Sequence, residues 1–265
     1  MPLSRVFAIT NQKGGVGKTT TAINLAASLA ANDLKVLVID SDPQGNATTG
    51  LGVAKDPNRP STYDVLLQDT APESAIVKTE MEGLEVISAD KNLVGANLEL
   101  VELPNRESRL RSRIEPIRTK YDFILIDCPP ALDLLTLNAL MASDAVLVPI
   151  QCEFFALEGI SELMDTIDRI RDSFRHPIAV AGILLTMYDD RTVLTRQVAA
   201  DLKEFFGEQV FRTVIPRSIR LAEAPSFGKP IIAYDPRSRG AESYIRLAKE
   251  ILDHESNRKS SQGAR

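Results

Sequence analysis

The segment NQKGGVGKTT, residues 11–20, constrains the fold of this chain more than any other feature. It follows a short β-prone run at residues 5–10, and it precedes a stretch rich in alanine and leucine whose apolar residues recur at helical spacing. A glycine turn between a strand and a helix binds phosphate, because its backbone N–H groups and the helix N-terminus attract an anion. The segment therefore predicts an α/β fold with phosphate at the N-terminus of its first helix.

The loop carries two lysines, Lys13 and Lys18. The strict phosphate-loop pattern begins with a glycine that is replaced here by Gln12, but the inward-turned backbone, the Lys18 ammonium and the Thr19 hydroxyl supply what phosphates and Mg²⁺ need. Because Lys18 already reaches the terminal phosphates, we expect Lys13 to contact a phosphate bound by a second copy of the protein. Nucleotide contacts are predicted for Lys13, Gly14, Gly15, Val16, Gly17, Lys18, Thr19 and Thr20.

Two aspartates at strand ends complete the predicted site. Asp127 ends the apolar run FILID, where its carboxylate can hold Mg²⁺ through water. Asp42 lies just past the run KVLVID, in a loop rich in Pro, Gly and Asn, where it can orient or deprotonate an attacking water. We therefore predict Lys13, Lys18 and Asp42 as catalytic residues, and Thr19, Asp42 and Asp127 as the magnesium site.

The rest of the chain alternates between two periodicities. Apolar runs typical of buried parallel strands lie at residues 5–10, 35–40, 84–88, 123–127, 145–150, 178–185 and 210–215. The stripe over residues 157–170 predicts a helix with one buried face, and Ser61 with Asp64 predicts a helix start. This alternation predicts a doubly wound, mostly parallel β-sheet flanked by helices. We predict one domain over residues 1–255 and a polar, disordered tail over residues 256–265.

Charge and cysteine content limit the function classes. The net charge of −5 argues against a generally basic nucleic-acid coat, although residues 212–249 hold a local surplus of about five positive charges. The two cysteines, Cys128 and Cys152, are not paired like metal ligands and are interpreted as small buried hydrophobes. We expect a reducing cytoplasm, no signal peptide and no membrane span.

The combined motifs resemble one family over about residues 5–252. KGGVGKTT, DSDPQGN, DCPP, IPR and SRGAESY are similar to the deviant-Walker P-loop ATPases of the ParA/MinD group, above all to its chromosome-partitioning ParA (Soj) branch. The resemblance implies ATP and Mg²⁺ as cofactors and slow ATP hydrolysis. It also implies an ATP sandwich dimer in which Lys13 is the signature lysine acting across the interface, and Asp42 is the hydrolytic aspartate.

The resemblance further implies partners and additional site residues. Pro216 and Arg217 match the adenine pocket, and Arg191 and Arg220 match positions that bind DNA without sequence preference; we assign Arg217 to the same basic surface. A ParB-type centromere-binding protein that stimulates hydrolysis is implied as a partner. The expected location is the cytoplasm, on the nucleoid, with a chromosome or plasmid as cargo. We expect no N-terminal operator-binding domain.

Two departures from the family pattern bear on these expectations. After DCPP the chain continues with Ala131, Leu132 and Asp133, whereas relatives usually have Ser-Leu-Gly. Loss of that glycine removes access to positive φ, so we expect the segment after Asp127 to be less mobile than in relatives. Asp190 places an acid beside Arg191, which we expect to weaken that DNA contact.

Three alternatives share parts of the pattern. A MinD-like membrane-associated ATPase has the same core but needs an amphipathic C-terminal helix with an apolar face, which residues 251–265 do not provide. An iron–sulfur reductase related to the nitrogenase iron protein also uses two loop lysines, but the spacing of Cys128 and Cys152 differs from its cluster motifs. A GTPase is disfavoured because the Asn-Lys-x-Asp motif is absent.

Overall fold

The computed structural model describes residues 4–263, with side chains up to residue 258. The strands are β1 Arg5–Ile9, β2 Val36–Asp40, β3 Ile76–Lys78, β4 Leu84–Ile87, β5 Phe123–Asp127, β6 Ala145–Gln151 and β7 Ala179–Thr186. The helices are α1 Lys18–Ala30, α2 Asn46–Gly50, α3 Thr62–Leu67, α4 Pro72–Ala75, α5 Leu93–Val101, α6 Arg109–Arg118, α7 Leu134–Ala142, α8 Ala156–Phe174, α9 Val193–Phe206, α10 Ile219–Glu223, α11 Ile231–Tyr234 and α12 Arg239–Gly263.

The strands form one twisted layer between two layers of helices. Their order is β3-β4-β2-β5-β1-β6-β7, and every pairing is parallel except that of β3 with β4. Side chains alternate between the two faces, so Phe7 and Ile9 join the core under α1 and α12, whereas Val6 and Ala8 join the core on the opposite side. The predicted mostly parallel sheet flanked by helices is confirmed.

Local helix signals in the sequence are borne out. Ser61 caps α3 in a capping box with Asp64. The apolar stripe predicted over residues 157–170 lies within α8, where Ile160, Leu163 and Ile167 are buried. These elements depend on contacts within a few residues, which a sequence pattern records directly.

One predicted strand is wrong. Residues 210–215 run beside β7, where the N–H groups of Phe211 and Ile215 donate to the carbonyls of Ile183 and Leu185, but they form no strand beyond an isolated bridge between Val210 and Ile183. Glu250 on α12 explains this, because its carboxylate accepts hydrogen bonds from the N–H groups of Arg212 at 2.7 Å and Thr213 at 3.0 Å. These N–H groups are therefore bound by a side chain instead of by a neighbouring strand.

The last helix also differs from the prediction. Residues 256–263, predicted as a disordered tail, continue α12, while Ala264 and Arg265 lie outside the described residues. Glu255 pairs with Arg5 of β1 at 3.0 Å and ties the helix to the sheet beyond its last apolar contacts. The apolar side chains of α12 that are buried in the core under α1 are Ala241, Tyr244, Leu247, Ala248 and Ile251.

Candidate nucleotide and magnesium site

A cavity of about 660 Å³ lies at the carboxyl edge of the sheet, beside the N-terminus of α1. Ligands in open α/β sheets bind at this edge. The predicted site residues that line the cavity are Gly15, Gly17, Lys18, Thr19, Thr20, Asp42, Pro216 and Arg217. Four other predicted residues lie outside this lining: Val16 and Asp127 are buried, and Lys13 and Gly14 are exposed. The structure thus brings together residues separated by up to about 200 positions.

The glycine loop is shaped for an anion. Gly15 and Gly17 have φ angles of 74° and 89°, in the left-handed region that favours glycine. Gly17 precedes the first residue of α1 and has no side chain to cap the helix, so the first-turn N–H groups of α1 are available to a ligand. The Thr186 hydroxyl, at the end of β7, donates to the Val16 carbonyl at 2.7 Å and fixes the loop from behind.

Lys18 is a buried cation at the entrance of the helix. Its side chain is 6% exposed, and its ammonium donates to the Lys13 carbonyl at 2.9 Å. Burial lowers the pKa of Lys18, and the carboxyl groups of Asp127 and Asp42 oppose that shift. A bound phosphate would stabilise the charged form of this lysine, because opposite charges attract strongly in a site of low polarity.

Asp127 is the residue whose environment most clearly calls for a ligand. Both carboxylate oxygens are buried and have no hydrogen-bond partner among the described residues. Burial raises the pKa of Asp127 well above its usual range, and repulsion from Asp40 adds to the rise. The nearby Thr19 hydroxyl partly offsets this rise in the pKa of Asp127, although it does not form a hydrogen bond with the carboxylate. Buried polar atoms without partners are uncommon and point to an ion or other ligand.

These residues fit Mg²⁺. The ion prefers hard oxygen ligands and is usually held by one or two carboxylates together with substrate phosphates. Asp127, Asp42 and the Thr19 hydroxyl supply such oxygens. Within residues 4–263, no group of three or more His, Cys, Asp or Glu side chains forms a complete cation cage. The arrangement therefore suits a magnesium ion that arrives with a nucleotide.

Asp40 is a site residue that the sequence reasoning missed. It pairs with Asp127 across β2 and β5, and its buried carboxylate accepts from the Thr48 N–H at 2.8 Å, the Thr48 hydroxyl at 2.7 Å and the Asp42 N–H at 3.2 Å. Burial raises the pKa of Asp40 to about 6. Asp42 accepts from the Gln44 N–H at 2.9 Å, so the loop after β2 is held from Asp40 to Thr48. The signal was present, because Asp40 ends its strand as Asp127 does.

Lys13 is turned away from the cavity of its own chain. Its ammonium forms an ion pair with Glu153, which lies between β6 and α8. Its N–H donates to the Asn11 side chain at 3.0 Å, and its carbonyl accepts from Lys18. The backbone of Lys13 is thus fixed while its exposed side chain is held by a single carboxylate.

Two of the three arginines predicted to bind DNA form ion pairs with acids. Arg191 forms two hydrogen bonds with Asp189, at 2.6 and 2.8 Å, which lower the pKa of Asp189 to about 2. Asp189 makes these direct contacts, and the expected weakening effect of the neighbouring Asp190 on DNA binding stays a prediction. Arg220 lies 3.2 Å from Glu223 and 3.6 Å from Asp235.

Asp133 has a structural role that accounts for the departure at this position. Its side chain caps α7 by accepting from the Thr136 N–H at 3.1 Å, and it also accepts from Asn97 of α5 at 2.6 Å. Its φ of −105° does not require glycine.

The remaining lining residues were not predicted. They include Gln44, Asn46, Thr186, Met187, Ser218, Ile219 and Tyr244. Gln44 and Asn46 follow β2, and Thr186 and Met187 lie at the carboxyl end of β7, so the edge of the predicted sheet would have indicated the neighbourhood of these four without identifying them.

Comparisons with known proteins agree with this geometry. A family model described as an AAA domain matches residues 4–180. The chromosome partitioning protein ParA of Caulobacter vibrioides is 52% identical over 256 residues, covering 96% of each chain. The sporulation initiation inhibitor protein Soj of Bacillus subtilis is 52% identical over 249 residues, covering 94% of this chain and 98% of that protein. This chain belongs to the ParA/Soj family of chromosome-partitioning ATPases.

Solved structures extend the likeness to bound ligands. Cobyrinic acid a,c-diamide synthase of Mycobacterium smegmatis, solved with an ATP analogue and magnesium, is 35% identical with a TM-score of 0.82, covering 94% of this chain and 95% of that one. The cell division ATPase MinD of Pyrococcus furiosus is 29% identical with a TM-score of 0.78, covering 94% and 99%. The predicted cofactors, ATP and Mg²⁺, are therefore consistent with the ligands of a relative. Within residues 4–263, no helix combines the length and apolar character needed to cross a bilayer.

Proposed function

We propose that this protein is a partition ATPase whose ATP-bound dimer binds DNA without sequence preference and is reset by slow hydrolysis. The observation that carries the proposal is that a buried Lys18 and a buried Asp127 carboxylate, which has no hydrogen-bond partner among the described residues, both lie at the glycine loop, while Lys13 lies outside that cavity. A single chain thus holds a phosphate and metal site together with a second cation that its own nucleotide does not need.

Each residue has a role that follows from its position. The loop N–H groups and Lys18 bind the phosphates, and Pro216 and Arg217 contact the base. Thr19 and Asp127 hold Mg²⁺, which when bound neutralises charge on the β- and γ-phosphates. Asp42 orients the attacking water and accepts its proton.

Hydrolysis in this arrangement is slow and controlled by association. Asp42 is a lone general base in a loop that also forms hydrogen bonds to its own backbone, so intrinsic turnover falls well below the roughly 1–10³ s⁻¹ of metabolic enzymes. Lys13 of one subunit supplies charge to the phosphate of the other, as a trans arginine finger does. A ParB-type centromere-binding partner stimulates this step and resets the protein on the nucleoid, moving a chromosome or plasmid.

The proposal is tested by measuring mass in solution with Mg²⁺ and either ATP or ADP. The wild type should shift from monomer to dimer with ATP, and Asp42→Ala should remain dimeric because the nucleotide is not cleaved. Lys13→Ala should bind ATP but stay monomeric and lose about 10³-fold or more in hydrolysis, because the trans cation is missing.

ADP provides the control, since it lacks the terminal phosphate that Lys13 is proposed to reach. A Lys13→Ala protein that dimerises normally with ATP would show that the lysine serves only its own subunit. Monomeric Asp42→Ala in excess ATP would reject the dimer itself.

A further inference from the structure

Two adjacent phenylalanine side chains are exposed to solvent at the start of α8. Phe154 and Phe155 are 77% and 64% exposed, and their rings meet edge to face with centroids 5.0 Å apart. Removing a phenylalanine side chain from water is favourable, because apolar surface is then transferred to an apolar environment. Other large apolar side chains are also exposed, so exposure alone does not distinguish this pair.

The position of the pair does distinguish it. Phe154 directly follows Glu153, whose carboxylate holds the ammonium of Lys13. Ala156, two residues further on, is buried and anchors the start of α8 in the core. The two rings are therefore fixed to the rigid part of the fold, beside the cation proposed to reach the nucleotide of another subunit.

We infer that Phe154 and Phe155 form an apolar anchor covered by a second copy of this chain in the ATP-bound dimer. The inference rests on the proposed function, because Lys13 is the reason for expecting a second copy at this place. A subunit close enough for its phosphate to meet Lys13 also covers the residues next to Glu153. As the second subunit approaches, its bound phosphate competes with Glu153 for the ammonium of Lys13. The ion pair between Lys13 and Glu153 is then replaced by a contact between subunits, and the two phenylalanine rings are removed from water.

Two-fold symmetry doubles the effect of each substitution on the stability of the dimer. In a two-fold dimer each contact occurs twice, so removing one aromatic anchor from the sequence removes it from both subunits. Truncating an aromatic anchor at the centre of an interface typically weakens binding by about five-fold or more. Loss of both copies should raise the dimer dissociation constant about 30-fold.

The experiment compares dimer dissociation constants at saturating ATP and Mg²⁺ in the Asp42→Ala background, by sedimentation equilibrium. Phe154→Ala and Phe155→Ala should each weaken the dimer about 30-fold. Phe205→Ala, which truncates a 75% exposed phenylalanine at the end of α9, is the matched control and should stay within about two-fold of the parent. Monomer ATP affinity and melting temperature should be unchanged in all three variants, because the rings do not line the cavity or the core.

The outcomes separate this surface from the function on which it rests. A parent that stays monomeric with ATP would overturn the proposed function and this surface with it. A parent dimer that is equally tight in both variants would overturn the surface alone. Variants that dimerise normally but lose stimulation by a centromere-binding protein would show that a different partner covers the pair, which also overturns the proposal.

Discussion

Asp40 and Asp127 place two carboxyl groups side by side on neighbouring strands, away from water. Asp40 satisfies its oxygens with Thr48 and the backbone of Asp42, whereas Asp127 has no partner among the described residues. The fold therefore contains a buried Asp127 carboxyl group that is unfavourable by itself and that a bound cation would stabilise. Functional sites often hold groups whose pKa is shifted in this way.

The shifts set the direction of the pH dependence. For both groups the pKa is raised in the folded chain, to about 6 for Asp40 and well above the usual range for Asp127. Above about pH 4 the unfolded chain has released protons that the folded chain still binds, so this contribution to stability falls as pH rises towards and beyond pH 6. Ligand-free protein should accordingly lose stability over this window.

Asp127→Asn should remove most of that loss. Without Mg²⁺ or nucleotide at pH 8, we expect the free energy of unfolding to rise by on the order of 1–3 kcal/mol, because a buried group no longer has to ionise. At pH 5 the difference should shrink, since the wild-type carboxyl is then protonated. Urea unfolding at the two pH values measures both effects, and titration with ATP should show that the variant has lost its magnesium-dependent affinity.

Asp165→Asn is the matched control, since it makes the same acid-to-amide change on the exposed side of α8. It should leave stability within about 0.5 kcal/mol at both pH values. A less stable Asp127→Asn protein at pH 8 would mean that the carboxylate is stabilised by groups other than those described.

At the scale of elements, the segment after Val210 shows how a side chain can replace a strand partner. Glu250 of α12 binds two successive N–H groups, and the chain then continues to Pro216 and Arg217 at the cavity. The last helix thus supports one wall of the candidate nucleotide site. Hydrogen bonds to a charged group are stronger than those between neutral groups.

Glu250→Ala should leave both N–H groups without their acceptor. Because Arg212 is exposed and water can replace part of the contact, we expect a loss of about 1–2 kcal/mol in the free energy of unfolding, together with weaker ATP binding. Glu242→Ala removes an exposed acid from the same helix, paired only with Arg246 among the described residues, and should cost under about 0.5 kcal/mol. Equal losses in the two variants, measured by urea unfolding, would reject the role of Glu250.

The same elements show what a sequence can predict. The phosphate loop was predictable because strand, glycines and helix are contiguous, and α3 because its cap and capping partner are three residues apart. The strand predicted at residues 210–215 failed because its competing acceptor is 38 residues away along the chain. The three-residue strand β3 offers too short a pattern to be recognised.

The candidate site also contains some residues that the sequence indicates and some contacts that it does not. Lys18, Asp42 and Asp127 were identified because phosphate and magnesium chemistry requires those residue types at strand ends and in the loop. The contact between Lys13 and Glu153 joins residues 140 positions apart, and no local pattern records it. The sequence shows acids beside Arg191 but not that Asp189 is the one that binds it, because Asp189 and Asp190 are equivalent in sequence until the backbone orients them.

At the scale of the whole molecule, the proposed binding of DNA requires charge to be rearranged. The chain is acidic overall, and Arg191 and Arg220 are held by Asp189, Glu223 and Asp235. One subunit therefore presents few cations to a duplex. A two-fold dimer doubles the contacts along one duplex, so we expect binding to random DNA to require ATP.

Salt dependence tests whether these arginines contact phosphates. Each neutralised phosphate contributes about 0.9 to the slope of log K against log salt, so Arg220→Ala should flatten that slope by about two per dimer and weaken binding equally for unrelated sequences. Asp189→Asn should strengthen binding, because it removes the negative charge and one of the two acceptor oxygens that hold Arg191. Arg169→Ala, on the exposed side of α8, removes the same charge outside the predicted surface and should leave the slope unchanged. ATP-driven dimerisation should survive all three changes. If Arg220→Ala and Arg169→Ala alter the slope equally, the arginines act through net charge alone, and the DNA surface lies elsewhere on the dimer.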